Sequence, residues 1–226
     1  MSLRPRVRYS HYRGHRITDG PSLEPVSVAD MKDQLSMGED DANTNLISMY
    51  ITAAREHAEQ YMGRALITQK WQLALDHWPS GREPWWDGVR QGAISELRSS
   101  GREKWIVLPR HPLQSVDEMR VYDDSGNDET VDLSDFIVDT HQEPGRLVLR
   151  SNAAWPVALQ SANAIEVDYT AGYGDDPKSV PMGIRVAIMQ MSASLYEHRG
   201  DQCSIQDAMR ISGAQSALDR YRVRSI

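Results

Sequence analysis

The sequence predicts an α+β fold in which a helical bundle core carries an inserted β-rich unit and extended N- and C-terminal arms. Two observations predict this class. Apolar residues recur at spacings of three and four in segments near both ends, and they alternate with polar residues in the middle. Clusters of Gly, Pro, Asn and Asp separate the alternating segments, as between strands joined by turns. A chain of 226 residues is long enough for one domain with a large insert.

The changes of period divide the chain into four parts. We expect an N-terminal arm over residues 1–26 and a helical bundle over residues 27–65 and 179–200. The β-rich insert covers residues 66–178. Residues 201–226 are expected to form a C-terminal tail that docks on a partner.

Helical patterns occur in three segments of the bundle. In "SVADMKDQL", Ser27 stands at an N-cap position with Asp30 three residues later, which predicts a short helix over about 28–35. The segment "EDDANTNLISMYITAAREHAEQYMG" predicts a long amphipathic helix that ends at Gly63. The third helix lies in "SVPMGIRVAIMQMSASLYEHRG", with Ser179 as its cap.

Strand patterns with a period of two fill the insert. The first is "ITQKWQLALDHWP", where alternate residues from Ile67 to His77 fall on one face. Turn formers such as "DDSGND" and "QEPG" separate the later segments. Those segments cover residues 105–109, 115–123, 136–139, 146–150 and 164–172.

The tryptophans of the insert fall into two groups. We assign Trp71, Trp105 and Trp155 to the core of the insert. Trp85 and Trp86 lie instead in a polar surface loop or hairpin over residues 79–104 and are hard to bury in a monomer. They indicate an interface, although a carbohydrate platform or a locally packed loop would also suit them.

The net charge of −7 is unevenly distributed. Residues 1–26 carry five Arg against two acids, whereas residues 27–63 carry two basic residues against seven acids. The acidic body argues against wrapping nucleic acid, because neutralising phosphates takes clustered Lys and Arg. The arm "RPRVRYSHYRGHR" suits either phosphate contacts or ordering on a protein partner, and we favour the second.

The chain has few features of a membrane, secreted or metal-binding protein. It contains no run of 18 apolar residues and no signal-peptide pattern, so we expect a soluble, non-secreted chain without a membrane partner. The single cysteine, Cys203, excludes an internal disulfide and a thiolate-based zinc site.

The tetrapeptide "YGDD" at residues 173–176 raises an enzymatic alternative. Paired aspartates on a turn can hold the divalent metal of a phosphoryl-transfer enzyme, and Asp175 and Asp176 would then be the ligands. Pro177 and a helix follow, however, where such a hairpin needs a second strand. We therefore interpret the motif as a turn that leaves a strand, and we expect no catalytic residue, no cofactor and no metal.

Several spaced motifs together resemble one protein family. They are "PVSVADMKDQL", "AEQYMGRALITQKWQLALDHWP", "IVLPRHPLQSV", "EPGRLVLRSNAAWP" and "IEVDYTAGYGDDPKSVPMGIRVAIMQMSASLYEHRG". This order is similar to that of the head-to-tail connector, or adaptor, proteins of long-tailed DNA phages and gene transfer agents. The resemblance runs from about residue 25 to residue 200 and includes no catalytic motif.

The resemblance implies a structural protein of the virion, located at the head–tail junction and assembled in the host cytoplasm. Such proteins form a ring, usually of twelve copies, beneath the portal protein. The ring lengthens the channel and offers a platform to a stopper or tail protein. Double-stranded DNA would pass through it without specific binding, since acidic surfaces repel phosphate.

The C-terminal segment "SIQDAMRISGAQSALDRYRVRSI" is expected to dock on the portal. Its helical stripe is thin and Gly213 interrupts it, so the segment alone should be marginal. A frayed, solvated tail is the other interpretation. The expected partner-binding residues are Ile211, Leu218, Arg220, Tyr221, Arg222, Val223 and Arg224, together with Trp85 and Trp86.

From the sequence, deletion of residues 203–226 should leave the fold intact, because the predicted core ends near Gly200. Portal binding should weaken markedly. Thermal unfolding and co-sedimentation with portal measure the two effects. If the truncated chain bound portal as tightly as the full chain, the anchor would have to lie in the arginine-rich N-terminus.

Overall fold

The computed structural model describes residues 12–38, 43–79, 105–158, 160–200 and 204–223. Both helices and sheets are present, which confirms the predicted α+β class. The chain divides into two compact units. The first takes the described parts of Met1–Thr18, Lys70–Leu108 and Leu113–Thr170, and the second those of Asp19–Gln69, Pro109–Pro112 and Ala171–Ile226.

The described strands of the first unit form two sheets. In the five-stranded sheet the strands follow one another in the order β1 (Tyr12–Asp19), β2 (Gln69–Leu75), β8 (Ile165–Ala171), β4 (Leu113–Tyr122) and β5 (Asp128–Thr130). The antiparallel three-stranded sheet has the order β3 (Trp105–Val107), β7 (Arg146–Leu149) and β6 (Phe136–Asp139). Strands therefore occur in all six segments with a predicted strand pattern.

Alternation of side chains decides which face of each strand is buried. Leu147 and Leu149 of β7 are buried, whereas Val148 between them is only half-buried. In β8, Ile165, Val167 and Tyr169 are fully buried. The period-two pattern thus predicts the buried face of these segments, since successive side chains point to opposite faces of a sheet. In β2, however, Gln72 is buried on the face opposite to Trp71.

Two strands were not predicted. Residues 12–19, assigned to the N-terminal arm, form the edge strand β1, and β5 begins at the last residue of the predicted turn "DDSGND". His15 anchors β1: its ring stacks on Trp71 with centroids 4.6 Å apart, and its Nε2 lies 2.7 Å from the Tyr169 hydroxyl. The arm assignment of residues 1–26 is therefore wrong for β1 and also for Val26, which is buried in the core of the second unit.

The tryptophans only partly follow the prediction. Trp71 is buried, and Trp155 is half-buried and stacks on Trp78 with centroids 4.5 Å apart. The assignment of Trp105 to the core is wrong, because its side chain is 39% exposed and lies opposite Val148 on the outer face of the small sheet. Trp85 and Trp86 lie outside the described residues.

Helices dominate the described part of the second unit. They are α1 (Val28–Gln34), α2 (Thr44–Met62), α3 (Met182–Glu197), α4 (Ile205–Ile211) and α5 (Ala214–Leu218). Ser27 and Asp30 form the predicted capping box, and Gly63 ends α2 in a left-handed conformation with φ of 72°. Ser179 does not cap α3; it ends a 3-10 turn, and α3 begins after Pro181.

The core of the second unit includes the C-terminal helices. The predicted end of the core near Gly200 is wrong, because side chains of α4 and α5 pack in the same cluster as those of α2 and α3. All these residues are apolar and buried. They include Ile47, Ile51, Ala54, Ala58 and Met62 of α2, Ile184, Ala187, Ile188 and Met191 of α3, and Met209, Ala214 and Leu218 beyond them.

A buried ion-pair network ties α2 to the chain on both sides of it. Arg55 donates to Glu24 and to Glu59, both at 2.8 Å. Glu59 also accepts from the Leu66 amide at 2.8 Å and from the Gln69 side chain at 2.5 Å. Every one of these bonds carries a charge on at least one partner, which makes it stronger than a neutral hydrogen bond.

The electrostatics of this network follow from burial and pairing. Burial raises the pKa of Glu59, and Arg55 and the amide donors oppose that rise. For Arg55, burial disfavours the charged form, but Glu59 and Glu24 outweigh it and raise the pKa of the guanidinium. Arg55 therefore stays charged and compensates two carboxylates.

Replacing Arg55→Ala should lower the free energy of unfolding by about 3 kcal/mol, because removing one partner leaves buried charge uncompensated. Urea denaturation measures this effect. Arg210→Ala is the matched control: Arg210 also pairs with a carboxylate, Asp207 at 2.7 Å, but its side chain is exposed. It should leave the unfolding midpoint unchanged, and an equal loss from the two variants would contradict a structural role for the buried network.

Candidate partner-binding site

The "YGDD" motif joins β8 to the helical region. Gly172 and Gly174 have φ of 141° and 143°, and a Cβ on Gly172 would lie 2.7 Å from the backbone of Ile67. The Tyr173 amide donates to the Leu66 carbonyl at 2.9 Å. Only glycine tolerates both this close approach and these backbone angles.

The two aspartates of the motif have separate surroundings. Asp176 caps the 3-10 turn by accepting from the Lys178 amide at 2.8 Å, and Asp175 is exposed. Within the described residues, no group of three or more His, Cys, Asp or Glu side chains could hold a metal ion. One capping carboxylate followed by a 3-10 turn, with an exposed aspartate before it, is typical of a surface turn.

A second candidate site is a groove of about 620 Å³ on the polar face of the five-stranded sheet. Several of the charged side chains in and beside it pair with one another. Arg120 lies 2.7 Å from Asp168 and 3.3 Å from Glu166, and Gln72 donates to Asp168 at 2.9 Å. Since Arg120 pairs with both carboxylates, we interpret this surface as a salt-bridged sheet face.

The C-terminal segment folds as two short helices with a turn between them. Ser204 and Asp207 form a capping box at the start of α4. Gly213, with φ of 77°, separates α4 from α5. Ala214 and Leu218 of α5 are fully buried. The interruption at Gly213 is therefore a turn that lets both helices bury an apolar side.

Residues 219–223 form a C-terminal strap against the end of α2. The Tyr61 hydroxyl donates to Asp219 at 2.5 Å, and the Val223 amide donates to the Met62 carbonyl at 2.9 Å. The Arg64 guanidinium donates to the Tyr221 carbonyl at 2.5 Å. These bonds hold the strap in a defined conformation in place of a frayed tail.

Tyr221 also packs against α3. A Cβ on Gly183 would lie 3.1 Å from the Tyr221 hydroxyl, so the small residue leaves room for the ring. Tyr221 is half-buried against the core cluster. The first turn of α3 thus helps to position the strap.

The predicted partner-binding residues are exposed to different degrees. Ile211 is 63% exposed, and Arg220 and Arg222 are exposed on the strap. Leu218 is fully buried, so its assignment as a contact residue is wrong, because one side chain cannot both fill the core and reach a partner. Tyr221 and Val223 are half-buried. The assignments of Arg224, Trp85 and Trp86 fall outside the described residues.

An exposed apolar stripe on α3 was missed. Met182 and Val186 are 63% and 37% exposed, and Met189 follows one turn later. Together with α1, this stripe borders a groove of about 440 Å³ lined by Asp30, Asp33, Gln34, Met182, Arg185 and Met189. The spacing of i, i+4 and i+7 was visible in the sequence as a second apolar face. A helix with apolar residues on two opposite faces is shielded from water only when other elements or a partner pack against both faces.

In the parts of the chain that the structure describes, no helix is long and apolar enough to cross a membrane.

Three solved structures share the fold. The chain aligns with one in "Virion of native gene transfer agent (GTA) particle" at a TM-score of 0.71 and 21% identity. It aligns with chains in "Neck of native GTA particle computed with C12 symmetry" and "Neck of empty GTA particle computed with C6 symmetry" at a TM-score of 0.69, with 22% and 20% identity. Each alignment covers 95% of this chain and 97% of the other. No protein-family model and no curated protein sequence matches.

Leu218→Ala should lower the free energy of unfolding by about 3 kcal/mol, because it opens a cavity in the core. Ile211→Ala, at an exposed position of the same segment, is the matched control and should change stability little. Urea denaturation distinguishes the two variants.

Deletion of residues 203–226 should also destabilise the fold, because it removes α4 and α5 from the core. This prediction replaces the sequence-based expectation that the fold would stay intact. A truncated chain as stable as the full one would contradict the core assignment.

Proposed function

We propose that this chain is a head-to-tail connector that forms a ring of twelve copies beneath a portal protein, extends the DNA channel and supports a stopper or tail protein. One observation carries the proposal: the fold matches neck and virion chains of gene transfer agent particles over almost the full length of both partners. The motif order in the sequence supports the same role.

The symmetry of the neighbours supports the copy number. One neighbouring chain comes from a neck computed with C12 symmetry and another from a neck computed with C6 symmetry. Six divides twelve, so a twelve-membered ring is compatible with both. A ring with cyclic symmetry uses two different faces of each subunit, and each face meets its complement on the next copy.

The exposed groups of the second unit suit contacts with a portal. Arg220 and Arg222 place two positive charges on a fixed strap, and Ile211 adds an exposed apolar side chain. Guanidinium groups pair well with carboxylates across interfaces. The Arg222 guanidinium lies 4.9 Å from the Tyr61 ring, which limits its freedom before a partner arrives.

The charge of the chain suits a channel that DNA passes through. The net charge is −7, and acids concentrate in residues 27–63. Glu56 of α2 has two thirds of its side chain exposed. Like charge disfavours phosphate contacts, so DNA would slide without binding. The protein would act in the virion, at the head–tail junction, after assembly in the host cytoplasm.

The proposal assigns no enzymatic role to the chain. Changing Asp175→Asn together with Asp176→Asn tests this directly, because a metal-dependent phosphoryl-transfer enzyme would lose its ligands. We expect rings to form on portal at the wild-type level, since an Asn at position 176 still accepts a capping hydrogen bond. Particles that assemble but lack infectivity would favour the enzyme.

Electron microscopy of the purified chain with its portal tests the main proposal. We expect rings of uniform diameter on the portal, with twelve-fold symmetry in class averages. A chain that stays monomeric with portal under all conditions would refute the connector role. Nucleic acid that co-purifies and dissociates with salt would favour the alternative of a nucleic-acid-binding module that uses the N-terminal arginines.

The double variant Arg220→Glu and Arg222→Glu should weaken portal binding by at least tenfold, because it converts two attractive contacts into repulsive ones. The matched control is the double variant Lys70→Glu and Lys178→Glu, which reverses two exposed positive charges outside the strap. Both variants change the net charge equally. Co-sedimentation with portal at increasing salt measures the effect.

Equal weakening by both double variants would assign the effect to net charge and contradict the strap as the anchor. Thermal unfolding should be nearly unchanged in each variant, which separates binding from folding.

A further inference from the structure

Helix α3 has two apolar faces: one is fully buried in the core, and the other is only partly covered, with Met189 packed against the core cluster. Ile184, Ile188 and Met191 point into the core and are fully buried. Met182 and Val186 lie on the opposite side and remain exposed. Neighbouring exposed apolar residues of this kind can contribute to a binding surface when a partner covers them.

The groove beside this stripe combines an apolar floor with an acidic rim. Met182 and Met189 line it from α3, and thioether side chains adapt to differently shaped ligands. Asp30 and Asp33 line it from α1 and are exposed. Arg185, the one cation among the lining residues, donates to the Pro25 carbonyl at 2.9 Å and lies 3.8 Å from Asp30. The groove therefore suits a segment that is basic and apolar.

Two segments of the chain have that composition. The run from Arg220 to Arg224 is one, but its described residues already bond to the end of α2. Residues 1–11, "MSLRPRVRYSH", are the other. Arg4, Arg6 and Arg8 alternate there with Pro5, Val7 and Tyr9, and the segment contains no acid.

We propose that residues 1–11 of one copy bind the α1–α3 groove of a neighbouring copy, with arginines facing Asp30 and Asp33 and apolar residues on the methionines. The inference rests on the proposed ring, because it needs a second copy beside the first. Eleven extended residues span up to about 36 Å, so the arm could reach a groove that lies within that distance of Tyr12. Each arm–groove contact is weak alone, but the fixed spacing of subunits in a ring raises the effective concentration of the arm at the neighbouring groove.

Disulfide trapping in assembled rings tests this arrangement. In a Cys203→Ser background, Val7→Cys is combined with Gln34→Cys at the groove. Mild oxidation should give a ladder of covalent oligomers on a denaturing gel. Each single-cysteine variant is a control and should give no ladder beyond a dimer, because one cysteine can form only one bond.

Charge reversal in the groove supplies a second measurement. Asp33→Lys should reduce the cross-linked fraction roughly two- to fivefold, the effect of losing one exposed ion pair. Adding Arg6→Glu should restore it. Asp124→Lys, at an exposed loop position in the first unit, is the matched control and should not change the ladder.

The outcomes separate this inference from the proposed function. Wild-type rings on portal with no ladder from the cysteine pair would overturn the arm–groove contact and leave the connector role standing. A disulfide formed within one chain would overturn the exchange between neighbours. Absence of wild-type rings would refute the connector role and this inference together.

Discussion

The buried carboxylate of Glu59 is the constraint on which the second unit depends. It accepts hydrogen bonds from Arg55 on its own helix and from Leu66 and Gln69 in the chain that follows. Arg55 extends the network to Glu24 in the segment that precedes α1. Buried charges are costly unless they are paired, so this network favours the arrangement of α2 and both flanking segments in which all of these bonds form. Helix packing alone would tolerate small shifts of α2 relative to its flanking segments, whereas such shifts would break these hydrogen bonds.

That arrangement in turn fixes the proposed portal-binding surface. The end of α2 supplies the Tyr61 hydroxyl, the Met62 carbonyl and the Arg64 guanidinium that hold the C-terminal strap. Because the strap is ordered before binding, Arg220 and Arg222 need not lose much conformational entropy at an interface. The C-terminus is thus better described as part of the core with an exposed edge than as a tail. Deleting the C-terminus would remove the core helices and the exposed arginines together. Point variants are therefore needed to separate an effect on stability from an effect on portal binding.

The sequence predicted the features that depend on local patterns. The helix over 28–35 and the end of α2 at Gly63 follow from capping residues, and the strands of the insert follow from alternation. β1 was missed because its stabilisation is long-range: His15 meets Tyr169, 154 positions away. The burial of Leu218 was missed because Gly213 breaks the stripe. No local signal distinguishes a thin amphipathic stripe that packs from one that frays.

The two faces of α3 would suit one helix first to folding and then to the proposed assembly. Its inner face is fully buried within one chain, so it stabilises the subunit regardless of concentration. Its outer face has only a short run of partly exposed residues, Met182 and Val186, beside acids that favour water. Such a face is too small to drive association of free subunits, since stable interfaces bury far more surface. In the proposed ring, a portal would hold subunits side by side, so the same contacts would repeat around the ring and become effectively intramolecular. A weak, charge-guided face would therefore favour assembly on the portal over assembly in solution.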